Sequence, residues 1–144
     1  MLRSWTHEVN TRFLGPLLRT MAALSTCMKR LAKERERLPK DTADFWCNFK
    51  DDDLQHFEAY VVGPVDSVYA YKLIKLKFDI PDRYPLVPPK VKFVQHTGER
   101  IHPNLYVDGK VCLSILGTWP GDPWSFSMTC EGMHHFGRIG LTSD

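Results

Sequence analysis

The sequence predicts an α+β domain on three observations. One stretch of helical period (Ala23 to Leu38) is followed by three stretches of period two at short intervals between Phe57 and Val94, and a length of 144 residues suits a single core. Strands spaced so closely pair most simply as an antiparallel meander with one face against the helix.

Each element follows from its residues. Residues 1–22 show no clean period, and Gly15-Pro16 is expected to interrupt any helix begun there, so they read as an N-terminal extension. From Ala23 onward Leu24, Cys27, Met28, Leu31 and Leu38 recur at helical spacing opposite Lys29, Lys33 and Glu36, and Pro39 ends the run. In HFEAYVV, Phe57, Ala59 and Val61 alternate with Glu58 and Tyr60 until Gly63-Pro64. KLIKLKFDIP turns Ile74, Leu76, Phe78 and Ile80 one way and Lys75, Lys77 and Asp79 the other. KVKFV does the same with Val91 and Phe93 against Lys90 and Lys92. Arg83 to Pro89 carries three prolines and reads as a stiff connector.

Past Cys112, GTWPGDPWS is too rich in proline and glycine for regular helix and reads as a loop anchored by tryptophans. Ser125 is placed to cap a helix beginning near Ser127, with weak helical spacing through Met128, Glu131 and Met133. Residues 134–144 carry no amphipathic stripe and read as an irregular tail. Residues 23–133 then form the core domain.

Composition excludes several function classes. With 43% hydrophobic and 25% charged residues the chain has an ordinary globular mix. A formal net charge of +2 does not point to nucleic acid, and the one basic cluster, Lys29 to Arg37, contains Glu34 and Glu36, which suits a solvated helix face ahead of a protein-docking surface. Phe13 to Leu24 is broken by Gly15, Pro16 and Arg19 and falls short of the about 20 residues a membrane span needs. Cysteines 27, 47, 112 and 130 have no regular spacing and read as free thiols of a cytosolic or nuclear protein. Cys130, His134 and His135 are close together but lack the second ligand pair of a structural zinc site, so no metal is expected. There is no glycine-rich phosphate loop.

The stretch HPNLYVDGKVCLSILGTWPGDPW (His102 to Trp124) is the candidate site. A cysteine at its ordinary pKa of about 8.5 is only a few per cent thiolate, so a hydrolase built on Cys112 needs a cationic histidine beside it. His102, followed by Pro103, reads as a turn histidine that packs. On residue type alone a buried structural thiol stays ahead of a nucleophile at Cys112.

The order of motifs changes that balance. HPN at His102 to Asn104, a cysteine eight residues past the asparagine in GKVCLSIL, the upstream YPLVPPKVKF and the helix segment CMKRLAKE together resemble the ubiquitin-conjugating enzymes. The likeness runs from about Leu24 to Met133, and CLSILGTW is similar to the subgroup with a CLSxLGTW signature.

The resemblance implies the ubiquitin-conjugating fold. It implies that Cys112 accepts ubiquitin, or a ubiquitin-like protein, from an activating enzyme as a thioester and passes it to a substrate lysine, with a ligase assisting. Thiolate leaves readily enough for an amine to displace it without a metal. Asn104 is then the oxyanion donor, and His102 and Pro103 shape the turn that aims it. No cofactor is bound, since ATP is consumed by the activating enzyme. Activating enzyme and ligase are expected to dock at Lys29, Arg30 and Lys33 on the helix, at Leu86, and at Trp124 and Phe126.

The chain departs from the family pattern in three places. Val68 and Tyr71-Lys72 stand where the family has the proline and the two glycines of Pro-Tyr-x-Gly-Gly, so strain is expected if the turn keeps positive φ. Phe126 replaces the proline of Trp-Ser-Pro. The family's C-terminal helices have no counterpart in residues 134–144, so a truncated fold is expected, with a non-catalytic binding module as the alternative function.

Overall fold

The fold is given by a computed structural model that describes residues 14–38, 44–50, 52–94 and 96–130, with side chains from residue 26 onward. Helix α1 spans Leu14–Arg37 and so begins well before the expected Ala23. Pro16 does not break it because it lies in the first turn, where backbone N–H groups have no intrahelical acceptor to lose. The extension expected over residues 1–22 is therefore helical from Leu14. At the other end Arg35 and Arg37 face the carbonyl end of the helix, where a cation is favoured.

Four strands follow, β1 (Phe45–Lys50), β2 (Asp53–Val62), β3 (Leu73–Asp79) and β4 (Lys90–Phe93), paired in that order with every neighbour antiparallel. The expected meander is present, with one strand more than the alternation predicted. Phe45, Phe57, Ala59, Val61, Ile74, Leu76, Phe78 and Phe93 form its buried face, and Cys27, Leu31 and Leu38 of α1 belong to the same core. The Phe57 ring stacks between Phe49 and Phe78 at 4.4 and 4.7 Å. On the outer face Trp46 stacks on Tyr60 at 5.1 Å, and Lys75 pairs with Glu58 at 2.8 Å.

The β2–β3 connection is held so tightly that a Cβ on Gly63 would lie 1.9 Å from the Tyr69 carbonyl oxygen. Strain expected of the departed glycine pair falls on Tyr71 alone, at φ 60 and 80% exposed. A left-handed conformation costs a residue with a Cβ about 1–2 kcal/mol.

The proline-rich connector folds into successive turns, with a cis Tyr84-Pro85 bond and the Tyr84 side chain buried in the core. Residues 126–130 are turn and loop, so the helix expected from Ser127 does not form among the described residues. Ser125 accepts the Ser127 N–H at 3.4 Å in a local turn instead. The irregular tail expected at 134–144 lies outside the described residues.

Candidate functional site

The segment from His102 to Cys112 doubles back on itself as a narrow hairpin. Leu105 and Val111 bridge each other, the Tyr106 N–H donates to the Lys110 carbonyl at 2.9 Å, and the Gly109 N–H closes the turn on the Tyr106 carbonyl at 2.9 Å. Gly109 sits at φ 86, and a Cβ there would come within 2.9 Å of the Phe93 carbonyl oxygen, so both its conformation and the close approach demand glycine. The Phe93 N–H donates to the Gly109 carbonyl at 2.8 Å, which hangs the hairpin on the edge of the sheet.

This folding brings Asn104 beside Cys112: the Cys112 N–H donates to the Asn104 carbonyl at 2.9 Å. The Asn104 N–H in turn donates to His102 Nδ1 at 3.0 Å. His102 is 5% exposed and lies against the Tyr69 ring with centroids 5.4 Å apart. With Nδ1 accepting from the backbone, His102 acts as a positioning group in the turn. Pro103 is exposed at its apex. Asn104 is half-buried, and its carboxamide makes no hydrogen bond among the described residues.

Cys112 itself is 2% exposed, yet it lies outside the contiguous core that holds Cys27 and Cys130. Thr118 braces it from behind: its hydroxyl donates to the Val111 carbonyl at 2.7 Å and accepts the Leu113 N–H at 2.9 Å, the residues on either side of the cysteine. A short 3-10 turn at Ser114–Leu116, closed by Gly117 at φ 68, returns the chain to that hydroxyl. Sequence reasoning missed Thr118; its only signal is a hydroxyl residue at the start of a Gly/Trp/Pro loop. The other thiols are held protonated by burial, which raises the pKa of Cys27, pushes Cys47 up to about 12 and raises Cys130 well above its ordinary value.

A second cluster packs against the same core. Glu34, read in sequence as part of a solvated face, is 3% exposed. Its Oε1 accepts from Tyr84 Oη at 2.6 Å and Arg30 Nε at 2.5 Å, and its Oε2 from the Cys130 N–H at 2.9 Å. Arg30 reaches on to the Met128 carbonyl at 2.8 Å. Burial raises the Tyr84 pKa, so the phenol remains a donor.

Residues 30–134 match the ubiquitin-conjugating enzyme family, which is most of the chain. The chain belongs to the ubiquitin-conjugating enzymes. It is 44% identical over 75 residues to ubiquitin-conjugating enzyme E2 Z of Danio rerio, covering 51% of this chain and 23% of that protein. To ubiquitin-conjugating enzyme E2 G2 of Homo sapiens it is 32% identical over 108 residues, 74% of this chain and 64% of that protein. It therefore spans less than a quarter of the E2 Z relative it matches. Among solved structures it resembles human ubiquitin-conjugating enzyme E2 G1 with a TM-score of 0.67 at 29% identity, over 85% of this chain and 96% of that one. An E2 from Plasmodium falciparum gives 0.68 at 28%, over 81% and 84%.

Of the residues the family likeness marks for partners, Lys29 and Lys33 are exposed on α1 and line a cleft with Ser127 and Thr129. Arg30 is committed inward to Glu34 and Met128. Leu86 and Phe126 are 73% and 69% exposed, and Trp124 between them is half-buried, its Nε1–H donating to the Pro85 carbonyl at 2.8 Å. Cys130 is enclosed by Glu34 and Tyr84, while His134 and His135 lie outside the described residues.

Proposed function

We propose that this chain carries ubiquitin, or a ubiquitin-like protein, as a thioester on Cys112 and delivers it to a lysine. The Cys112 thiolate attacks the thioester carbonyl that joins the modifier to its activating enzyme; a new C–S bond forms and the activating enzyme's thiolate leaves. A lysine amine then attacks the same carbon, a C–N bond forms, the C–Sγ bond breaks, and the amine's proton passes to solvent. ATP is consumed upstream by the activating enzyme, so the chain needs no bound cofactor. Four free thiols suit a reducing compartment, the cytosol or nucleus.

The observation that carries this reading is the pair of hydrogen bonds joining His102 to Asn104 and Asn104 to Cys112. They hold the backbone of Asn104 against that of Cys112, and in this reading the Asn104 carboxamide donates to the oxyanion of each tetrahedral intermediate. Lys29, Lys33, Leu86 and Phe126, with Trp124 behind them, form the surface on which activating enzyme and ligase dock in this reading.

Burial of Cys112 favours a second reading, a non-catalytic binding module that keeps the docking surface without turnover. Incubation with activating enzyme, ATP and ubiquitin separates the two. The transfer reading expects an adduct that reductant removes and Cys112→Ala lacks. Folded protein that never forms the adduct leaves only the binding module.

A further inference from the structure

We propose that an acidic polypeptide segment docks along a stripe of cations running from the outer face of the sheet to the His102–Asn104 turn. Lys77 on β3 stands directly opposite Lys92 on β4, and Lys92 stands opposite Lys110 in the hairpin beyond. All three are exposed. The stripe continues through Tyr106, whose ring lies 5.7 Å from Lys110 Nζ and 4.2 Å from the Arg100 guanidinium. Arg100 then donates to the carbonyl of Pro103, between His102 and Asn104.

Like charges placed directly across a ladder oppose the pairing of their strands, and here two such pairs are consecutive. The one carboxylate opposite Lys77, that of Glu58, is engaged by Lys75 at 2.8 Å. Among the described residues Lys77, Lys92 and Lys110 form no ion pair within 4 Å.

The shape of the stripe selects its occupant. Neighbouring ladder positions are about 5 Å apart, and carboxylates on one side of an extended chain recur every about 7 Å, a mismatch that flexible lysine side chains absorb. Lys50 and Lys90 border the same cleft as Lys77 and Lys92, but Glu58 and Asp79 lie among them and Asp108 lies near Lys110 on the chain, so the positive face is narrow and interrupted. A duplex of phosphates needs a broad positive face; a single strand of Asp and Glu side chains does not. The stripe ends beside Asn104, so a segment lying on it presents a neighbouring lysine to Cys112. That last point rests on the transfer reading, whereas the binding itself does not.

The test titrates a fluorescent poly-glutamate peptide into the whole, uncharged chain and follows anisotropy. Saturable binding that weakens with added salt is expected. Lys92→Glu should lower the affinity at least about tenfold while raising Tm, because it turns two like-charge pairs into opposite ones, so lost binding cannot be ascribed to unfolding. Lys77→Gln/Lys110→Gln gives the same loss without a charge reversal, and Arg83→Glu, away from the stripe, leaves affinity unchanged. Absence of binding, affinity equal to that of the unsubstituted chain in either the Lys92 or the Lys77/Lys110 variant, or tighter binding of a single-stranded oligonucleotide of matched charge overturns the proposal. Because no modifier is loaded, each of these results stands whatever the outcome of the thioester assay.

Discussion

The His102–Cys112 hairpin and the Glu34 cluster both pack on one core and are held by opposite means. In the hairpin, peptide groups do most of the tying: Tyr106 to Lys110, Cys112 to Asn104 and Phe93 to Gly109. Around Glu34 a single buried carboxylate gathers a helix, a proline turn and residue 130 through side-chain bonds spanning 50 and 96 positions. Main-chain ties survive most substitutions, since every residue but proline supplies them, whereas the Glu34 cluster fails when one side chain is lost. The geometry of the Asn104–Cys112 segment is therefore robust, and the cleft beside Lys29 and Lys33 rests on one residue.

Glu34→Ala is the strongest way to break this contrast. It orphans the Tyr84 hydroxyl and the Cys130 N–H in the core, and a loss of about 3–5 kcal/mol is expected in urea unfolding. A loss under about 1 kcal/mol would contradict the central role given to the carboxylate. Asn104→Ala tests the other region. Discharge of a loaded Cys112 onto free lysine should fall about a hundred- to a thousandfold, equivalent to about 3–4 kcal/mol. Tm should hardly move, because the bonds of residue 104 are made by its backbone. Equal discharge rates in single turnover rule out the oxyanion role.

Thr118→Val sharpens the comparison, since Thr118 is the exception in which a side chain steadies the cysteine segment. Loss of its bonds to Val111 and Leu113 should lower stability by about 1–2 kcal/mol and slow charging, read from urea midpoints and loading time courses. The smallest expected effect has the opposite sign: Tyr71→Gly relieves a left-handed tyrosine and should raise stability by about 0.5–1 kcal/mol. An unchanged or lower Tm shows that the tyrosine side chain compensates for its own backbone.

Strands β2, β3 and β4 were legible because polar residues face out at alternate positions, most plainly in KLIKLKFDIP. β1 was not, although Phe45, Cys47 and Phe49 do alternate: Trp46 on its outer face stacks on Tyr60 and blurs the apolar–polar contrast. The start of α1 was hidden by Pro16, whose effect depends on its place in the helix. Glu34 looked like one charge among many because its partners are distant in sequence, and local pattern carries no such information. The spacing of Asn104 and Cys112 stood out through the family likeness. What joins them, a turn closed at Gly109, had a local signal in Asp108-Gly109 that the reading did not use.

The hydrogen bond from Trp124 to the Pro85 carbonyl has a thermodynamic consequence for association. It links the loops that bear Leu86 and Phe126, two apolar side chains forty positions apart that would otherwise wander independently. In the docking reading proposed above, a partner meeting them encounters a platform whose relative motion was already frozen when the chain folded. Less ordering entropy is then lost at encounter, and more of the apolar contact energy remains as affinity.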